Sequence, residues 1–316
     1  MTKVYSTLRG TICALALLIC VTAYASSAEA QGVLRFVSGT GSDANNCLRP
    51  TPCRSIQRGV DTAPDGAEVI ILDTAGYGPT VTIDKSITIT TPSGVAATIT
   101  TPSGVAILVT GGGAVILRGL SLIGLGTASL GINYSGTGSL SVDNCILTGF
   151  TEEGINSSGT TLFVKSTIIR NGGLDGILVN GGSATIDNCR IERNGPNAPL
   201  SGGYGIYAKG NSRVMVRNTV AASNGIGFVA EDSAVLNAEN CVATKNTAVG
   251  FRVGGGTAGG ASMMRVSNSV ATNNGIGFQQ FVNSSGSGGT FESRENNTVR
   301  GNAIDATGSI TGISGT

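Results

Sequence analysis

The sequence predicts an all-β chain wound into a single-stranded parallel β-helix, three strands per coil of about 22 residues, with a short capping helix at its N-terminal end. Three observations predict it. First, VDNCIL, VKSTII, IDNCRI, VRNTVA, AENCVA, VSNSVA and RENNTV fall into one register. Their marker residues Asn144, Ser166, Asn188, Asn218, Asn240, Asn268 and Asn297 are separated by 22, 22, 30, 22, 28 and 29 residues. Second, EEGINS, LDGILV, GYGIYA, GIGFVA, AVGFRV and GIGFQQ follow at a near-constant distance, each opening a further strand. Third, Val, Ile and Leu recur in short runs between Gly and Asn turns, with 49 Gly and no His or Trp, a pattern of many short strands.

The elements follow in chain order. Residues 1–30 carry Lys3 and Arg9, the apolar run ICALALLICV and the small-residue triplet AEA, the pattern of a secretory signal; the run is too short for a comfortable membrane span. Residues 31–80 are expected as a cap: a strand at 35–38, a loop, a helix at about 54–63 and a strand at 68–72. Ile56, Val60 and Ala63 lie at helical spacing with Arg54, Arg58 and Asp61 outside. A lid is expected because a solenoid end exposes core and unpaired edges. The β-helix is expected over 81–305, with Gly119 and Ser86 extending the marker register upstream, and 306–316 as a short polar tail. Without Lys3, Arg9 and Glu29 the chain holds 18 basic and 18 acidic side chains, which argues against nucleic acid and gives no support to an anionic membrane surface.

Within each coil the marker Asn is read as a bend residue, because Asn tolerates the left-handed backbone a sharp corner demands. Asn144, Asn188, Asn218, Asn240, Asn268 and Asn297 are expected to stack as a ladder of hydrogen-bonded amides. Asn-Gly pairs at 171–172, 194–195, 224–225 and 274–275 mark the next corner. The residues after the markers, Cys145, Thr167, Cys189, Thr219, Cys241, Ser269 and Thr298, form a column of small inward side chains. Coils stack about 4.8 Å apart, so cysteines two coils apart exceed disulfide reach, and without His a zinc site is disfavoured. Cys47 and Cys53, close together in a Pro-rich loop of an exported chain, favour a disulfide, with two free thiols as the alternative.

FVSGTGSDANN followed by CRSIQRGVDTAPDGAEVII resembles the N-terminal segment of right-handed parallel β-helix proteins of the pectin-lyase-like superfamily. With the 22-residue coils the resemblance spans nearly all of 33–305. It implies a right-handed coil. It implies little about activity, because members include polysaccharide lyases, hydrolases, epimerases and phage tailspikes. The Asn-Thr-Asp, Asp-Asp and Gly-His-Gly motifs of polygalacturonase-like members are missing, as is a dense acidic calcium cluster of the pectate-lyase kind.

The strand opening with Gly and its turns are the expected binding face. Glu153 and Asp175 take one slot on adjacent coils, with carboxylates expected about 5 Å apart, which suits general acid/base work or a shared calcium. The plainer alternative is two solvated turn acids paired with Arg170 or Arg193. Asn156, Asn180, Tyr207, Lys209, Glu231, Arg252, Gln279 and Phe281 are expected outward on the same face, suited to the hydroxyls and carboxylates of a sugar chain, with Lys209–Glu231 and Glu231–Arg252 as cross-coil pairs. PNAPLSGG, GGTAGGAS and NSSGSGG are insertions beside it. The sequence therefore points to an exported, non-catalytic module that binds polysaccharide or cell-envelope glycan or serves as an adhesive surface. The alternative is a divergent lyase or glycoside hydrolase on uronic-acid polymers, using Glu153 and Asp175 with Lys209 or Arg252 on substrate carboxylates. Beyond calcium no cofactor is expected.

Overall fold

A computed structural model describes residues 33–195, 203–256, 260–283 and 288–314; the expected signal segment and the centres of the three insertions lie outside them. One coil sets the pattern. Ser139–Asp143 enters sheet 1, Ile146–Thr148 sheet 2 and Ile155–Ser157 sheet 3, and Thr161–Lys165 returns to sheet 1 one coil further on. Pairing between coils is parallel and in phase, as in Asp143↔Lys165, Ile146↔Ile168 and Asn156↔Leu178. Repeated, this gives a parallel β-helix with 12 strands in sheet 1 and 10 each in sheets 2 and 3. Alternating side chains fill the interior; toward the C-terminal end the aromatic rings of Phe228, Phe251, Phe278 and Phe291 succeed one another at 4.6, 5.4 and 4.9 Å between centroids.

Sheet 1 begins at Leu34–Val37 and ends at Ile310–Ile313, so the stack runs beyond 81–305 on both sides. Ala67–Ile71 pairs between Leu34–Val37 and Ile87–Thr90, and Ile310–Ile313 pairs with Gly289–Arg294. Their backbone groups are satisfied by ladder bonds rather than left as a cap and a tail. The lid itself is the helix Ile56–Thr62, with the Ser55 hydroxyl accepting from Arg58 N at its start. Ile56, Val60 and Ala63 bury against the first strands of sheets 1 and 3. Cys47 and Cys53 are joined in a disulfide, with Cα atoms 4.7 Å apart.

The corner between sheets 1 and 2 carries one left-handed residue per coil: Gly119, Asn144, Ser166, Asn188, Asn218, Asn240 and Asn268. Two expected members belong elsewhere. Ser86 precedes the sheet 1 strand Ile87–Thr90, and the position opposite Gly119 is Thr91. The pairing Val270↔Thr298 puts Asn296 opposite Asn268 and moves Asn297 into the inward column. There Asn297 Oδ1 accepts from Ser269 N (2.8 Å) and Nδ2 donates to Val266 O (2.8 Å). The remaining marker amides form a broken, exposed ladder. Asn240 Nδ2 reaches Asn218 Oδ1 (2.6 Å), whereas Asn218 Nδ2 turns to Asp187 (2.8 Å) and Asn188 Nδ2 to the Ser166 hydroxyl (3.2 Å). The inward column behaves as expected: Cys145, Cys189 and Cys241 are free and buried, and Cys145 N, Cys189 N and Cys241 N each donate to the hydroxyl of the next coil.

The corner between sheets 2 and 3 holds the continuous ladder. Asn194, Asn224, Asn246 and Asn274 are buried, and Asn302 extends them. Each side-chain oxygen accepts from the backbone N–H of the preceding coil, as in Asn194 N to Asn224 Oδ1 (3.0 Å) and Asn246 N to Asn274 Oδ1 (3.0 Å). From Asn224 onward each Nδ2 also donates to a sheet 2 carbonyl, Asn224 to Ile191 O (3.0 Å) and Asn246 to Ala221 O (3.1 Å). This explains the Gly that opens each following strand. A Cβ on Gly227 would stand 2.5 Å from Gly250 O and 3.0 Å from Asn246 Nδ2, and Gly205, Gly250 and Gly277 repeat the conflict. Asn ladder and Gly column are one device.

Candidate functional site

The Gly column breaks the alternation of sheet 3. Gly205 and Ile206 both turn inward, so Tyr204 on one side and Tyr207 on the other both face out. Two outward columns result. Glu153, Asp175 and Tyr204 share one, as Gly154 N and Gly176 N donate to Asp175 O (3.0 Å) and Tyr204 O (2.8 Å), and Ile226, Val249 and Ile276 continue it. The other runs Asn156, Leu178, Tyr207, Val229, Arg252 and Gln279. At the far margin of the sheet Asn180 lies opposite Lys209.

The structure brings Tyr207, Glu231, Arg252, Gln279 and Phe281 together and leaves Asn156 and Asn180 outside the group, Asn180 on the strand next to that of Tyr207 and Asn156 one strand further. Arg252 Nη2 pairs with Glu231 Oε1 and reaches the Tyr204 hydroxyl (3.4 Å), and Tyr207 donates its O–H to Glu231 Oε2 (2.7 Å). The Arg252 guanidinium lies 5.3 Å from the Tyr204 ring centroid and 6.0 Å from that of Phe281. Phe281 lies against Gly255, where φ is +106° and a Cβ would come within 2.8 Å of the ring. Around these groups is a cleft of about 570 Å³, lined by Tyr204, Glu231, Arg252, Gln279 and Phe281 over a floor of Ile226, Val249 and Ile276. Tyr204 and the apolar floor were missed in the sequence. Their signal is the residue before each strand-opening Gly, apolar or aromatic in GYGIY, NGIGF and TAVGF, which reads as interior until the Gly-induced slip is known.

Four expectations change here. Lys209 does not pair with Glu231; its Nζ lies 5.2 Å from the Tyr207 ring centroid. Arg252, already paired with Glu231, is not a spare cation for a substrate carboxylate. Arg193 pairs with Glu192 of sheet 2 and bonds to Asn171, so neither turn acid is its partner. Asp175 is not a solvated turn acid either: it is 5% exposed, and its Oδ1 accepts from Tyr204 N (2.9 Å). Burial pushes its carboxyl up to about 6, against the N–H groups of Tyr204 and Gly203 and the Lys209 charge, which pull it down. Glu153, half-buried, is raised first by burial and then by the Asp175 charge. Burial, followed by the Glu231 charge, raises Tyr207, which stays a neutral donor.

A calcium ion fits this pair poorly. It takes six to eight oxygens, whereas one carboxylate here is buried against backbone N–H groups. Among the described residues no group of three or more His, Cys, Asp or Glu could hold a metal. Asp175 instead ties the incoming end of strand Tyr204–Lys209, just beyond the first insertion, and so holds Tyr204 at the mouth of the cleft.

Comparisons with known proteins agree with this architecture. The description "Right handed beta helix region" matches residues 103–260. Among solved structures the chain is similar to an alginate lyase from Paenibacillus sp. str. FPU-7, with 17% identity, 88% of this chain and 99% of that one covered, and a TM-score of 0.61. It is similar to the pectate lyase Pel9A at 20% identity, with 87% and 72% covered and a TM-score of 0.58. It is also similar to the Azotobacter vinelandii mannuronan C-5 epimerase AlgE4 A-module at 14% identity, with 78% and 83% covered and a TM-score of 0.57. At these identities the likeness is one of fold alone. No curated protein matches the sequence significantly.

Proposed function

The chain belongs to the right-handed β-helix family, and from that premise we propose that it is an exported, non-catalytic module whose sheet 3 binds a polysaccharide of the cell envelope or its surroundings. The cleft of about 570 Å³ carries this reading. It sets an exposed aromatic ring, Phe281, and the edge of Tyr204 over an apolar floor, with the amide of Gln279 beside them. Aromatic faces meet the C–H face of a sugar ring and amides meet its hydroxyls. Rigid coils hold these groups in fixed phase, so the site is largely preformed. The secretory pattern of 1–30 and the Cys47–Cys53 disulfide support export. Among the described residues no helix is long and apolar enough to cross a membrane. The neighbours' printed names, alginate lyase and pectate lyase among them, support a polysaccharide as the ligand class.

A catalytic reading keeps one observation in its favour, the raised carboxyls of Glu153 and Asp175 in one column. Against it, Asp175 is buried and its Oδ1 accepts a backbone N–H, the situation of a positioning group rather than of a base that meets substrate. Retention of the mature protein on immobilised glycans tests the proposal. Phe281→Ala and Gln279→Ala should each weaken retention, Phe281→Ala by about tenfold, without loss of folded signal. Release of reducing ends or unsaturated product that Glu153→Gln abolishes would decide for catalysis instead.

A further inference from the structure

The charges around sheet 3 do not suit an acidic polymer. From each Asn-ladder position to the start of the next sheet 1 strand, across coils 150–288, the sequence places Glu152, Glu153, Asp175, Glu231 and Asp232 against only Lys209 and Arg252. Five carboxylates thus stand against two cations along this stretch, Asp175 and Glu231 buried and Glu152, Glu153 and Asp232 more open, although the mature chain is balanced. The uncharged insertions PNAPLSGG, GGTAGGAS and NSSGSGG add nothing to offset them.

Neither cation is spare. Arg252 is held by Glu231 and packed between Tyr204 and Phe281. Lys209 lies over Tyr207, and its charge already acts on both Glu153 and Asp175. Other cations border the face from outside it: Arg170 and Arg193 at the preceding corner, with Arg193 paired to Glu192, the exposed Lys245 at a left-handed corner position, and the exposed Arg213 at the start of the next sheet 1 strand. A uronate carboxylate laid along this face would meet uncompensated negative charge in a partly desolvated groove, where like charges are screened least.

Resting on the polysaccharide-binding reading, we propose that the cleft selects saccharides without carboxylate groups and discriminates against polyuronates. The aromatic and amide groups supply binding that is indifferent to charge, and the carboxylate excess supplies the discrimination. The uronic-acid polymers of the alternative, catalytic reading are then the ligands this chain rejects.

Titration calorimetry of the full mature protein with cellohexaose, xylohexaose, hexagalacturonate and hexamannuronate tests it, at about 20 mM and about 500 mM NaCl. A neutral hexasaccharide should bind at least about tenfold more tightly than either uronate at low salt, with the gap narrowing at high salt. Glu152→Lys, at an exposed turn position, should raise uronate affinity by about threefold to fivefold and leave the neutral ligand unchanged. Uronates binding as tightly as the neutral sugars, or a gap indifferent to salt and to Glu152→Lys, would overturn the selectivity while leaving polysaccharide binding standing. Binding to none of the four by a folded protein would overturn both.

Discussion

Truncating Asn246 to Ala should cost far more than altering the marker residue of the same coil. Asn246 is 1% exposed. Its Oδ1 accepts from Asn224 N (3.1 Å), and its Nδ2 donates to Ala221 O (3.1 Å) and Asn274 Oδ1 (2.9 Å). Alanine leaves the Asn224 N–H buried without a partner and takes one of two bonds from the Ala221 carbonyl, which stays in the sheet 2 ladder; Asn274 Oδ1 keeps the bond from the residue 246 backbone N (3.0 Å). At about 1–3 kcal/mol for the orphaned N–H and about 1 kcal/mol for the further bonds lost, the loss is about 2–4 kcal/mol. Asn240→Gly is the control. It preserves the left-handed backbone (φ 51°) and forfeits only an exposed bond to Asn218, worth below about 1 kcal/mol. Urea unfolding followed by far-ultraviolet circular dichroism compares the two. Hydrogen exchange at Asn224 N reports the local opening, since long repeat arrays need not unfold in two states. If Asn246→Ala destabilises no more than Asn240→Gly, the ladder is not what holds this corner.

Gly227→Ala should destabilise by about 2 kcal/mol or more, read as a lower urea midpoint, because its Cβ would come within 2.5 Å of Gly250 O. Asp175 gives a pH signature. Its folded carboxyl titrates near 6 against an ordinary 3.8, so between these values the folded state holds the extra proton and this group's contribution falls as pH rises. The stability of Asp175→Asn relative to the parent should therefore climb by up to about 3 kcal/mol from pH 4 to pH 7; a flat difference would refute the raised carboxyl. Cys145, Cys189 and Cys241, with thiols pushed up to about 11 by burial, should resist thiol reagents in the native protein and react after unfolding.

Much of the fold was legible because a solenoid writes its period directly into the chain. Residues of equal phase meet, so the repeated Asn-Cys and Gly-Ile/Phe segments fix coil length, corner and strand order. Register failed where the repeat is degenerate. In RENNTV two adjacent Asn compete for one slot, and only the pairing Val270↔Thr298 separates Asn296 from Asn297. The ladder was assigned to the wrong corner for a related reason. The visible motif marks a left-handed bend that polar side chains decorate from outside, whereas the buried amides at Asn194, Asn224 and Asn246 follow residues as different as Arg193, Ser223 and Lys245. Part of the site was readable, since Tyr207, Glu231, Arg252 and Gln279 alternate outward as a strand requires. Tyr204 was not, because the inward pair Gly205–Ile206 breaks that alternation, and no sequence period announces a steric slip. The pairing of Arg252 with Glu231 rather than with a ligand also depends on geometry that spacing alone does not give.

Crystals soaked with a neutral hexasaccharide provide the most direct measurement of the account's central claim. Density for sugar rings along sheet 3, with one ring against Phe281 and hydroxyls at Gln279, is the predicted result. Density instead on the sheet 1 face beside exposed Phe163 and Met215, with the Tyr204–Phe281 cleft holding only solvent, would contradict it.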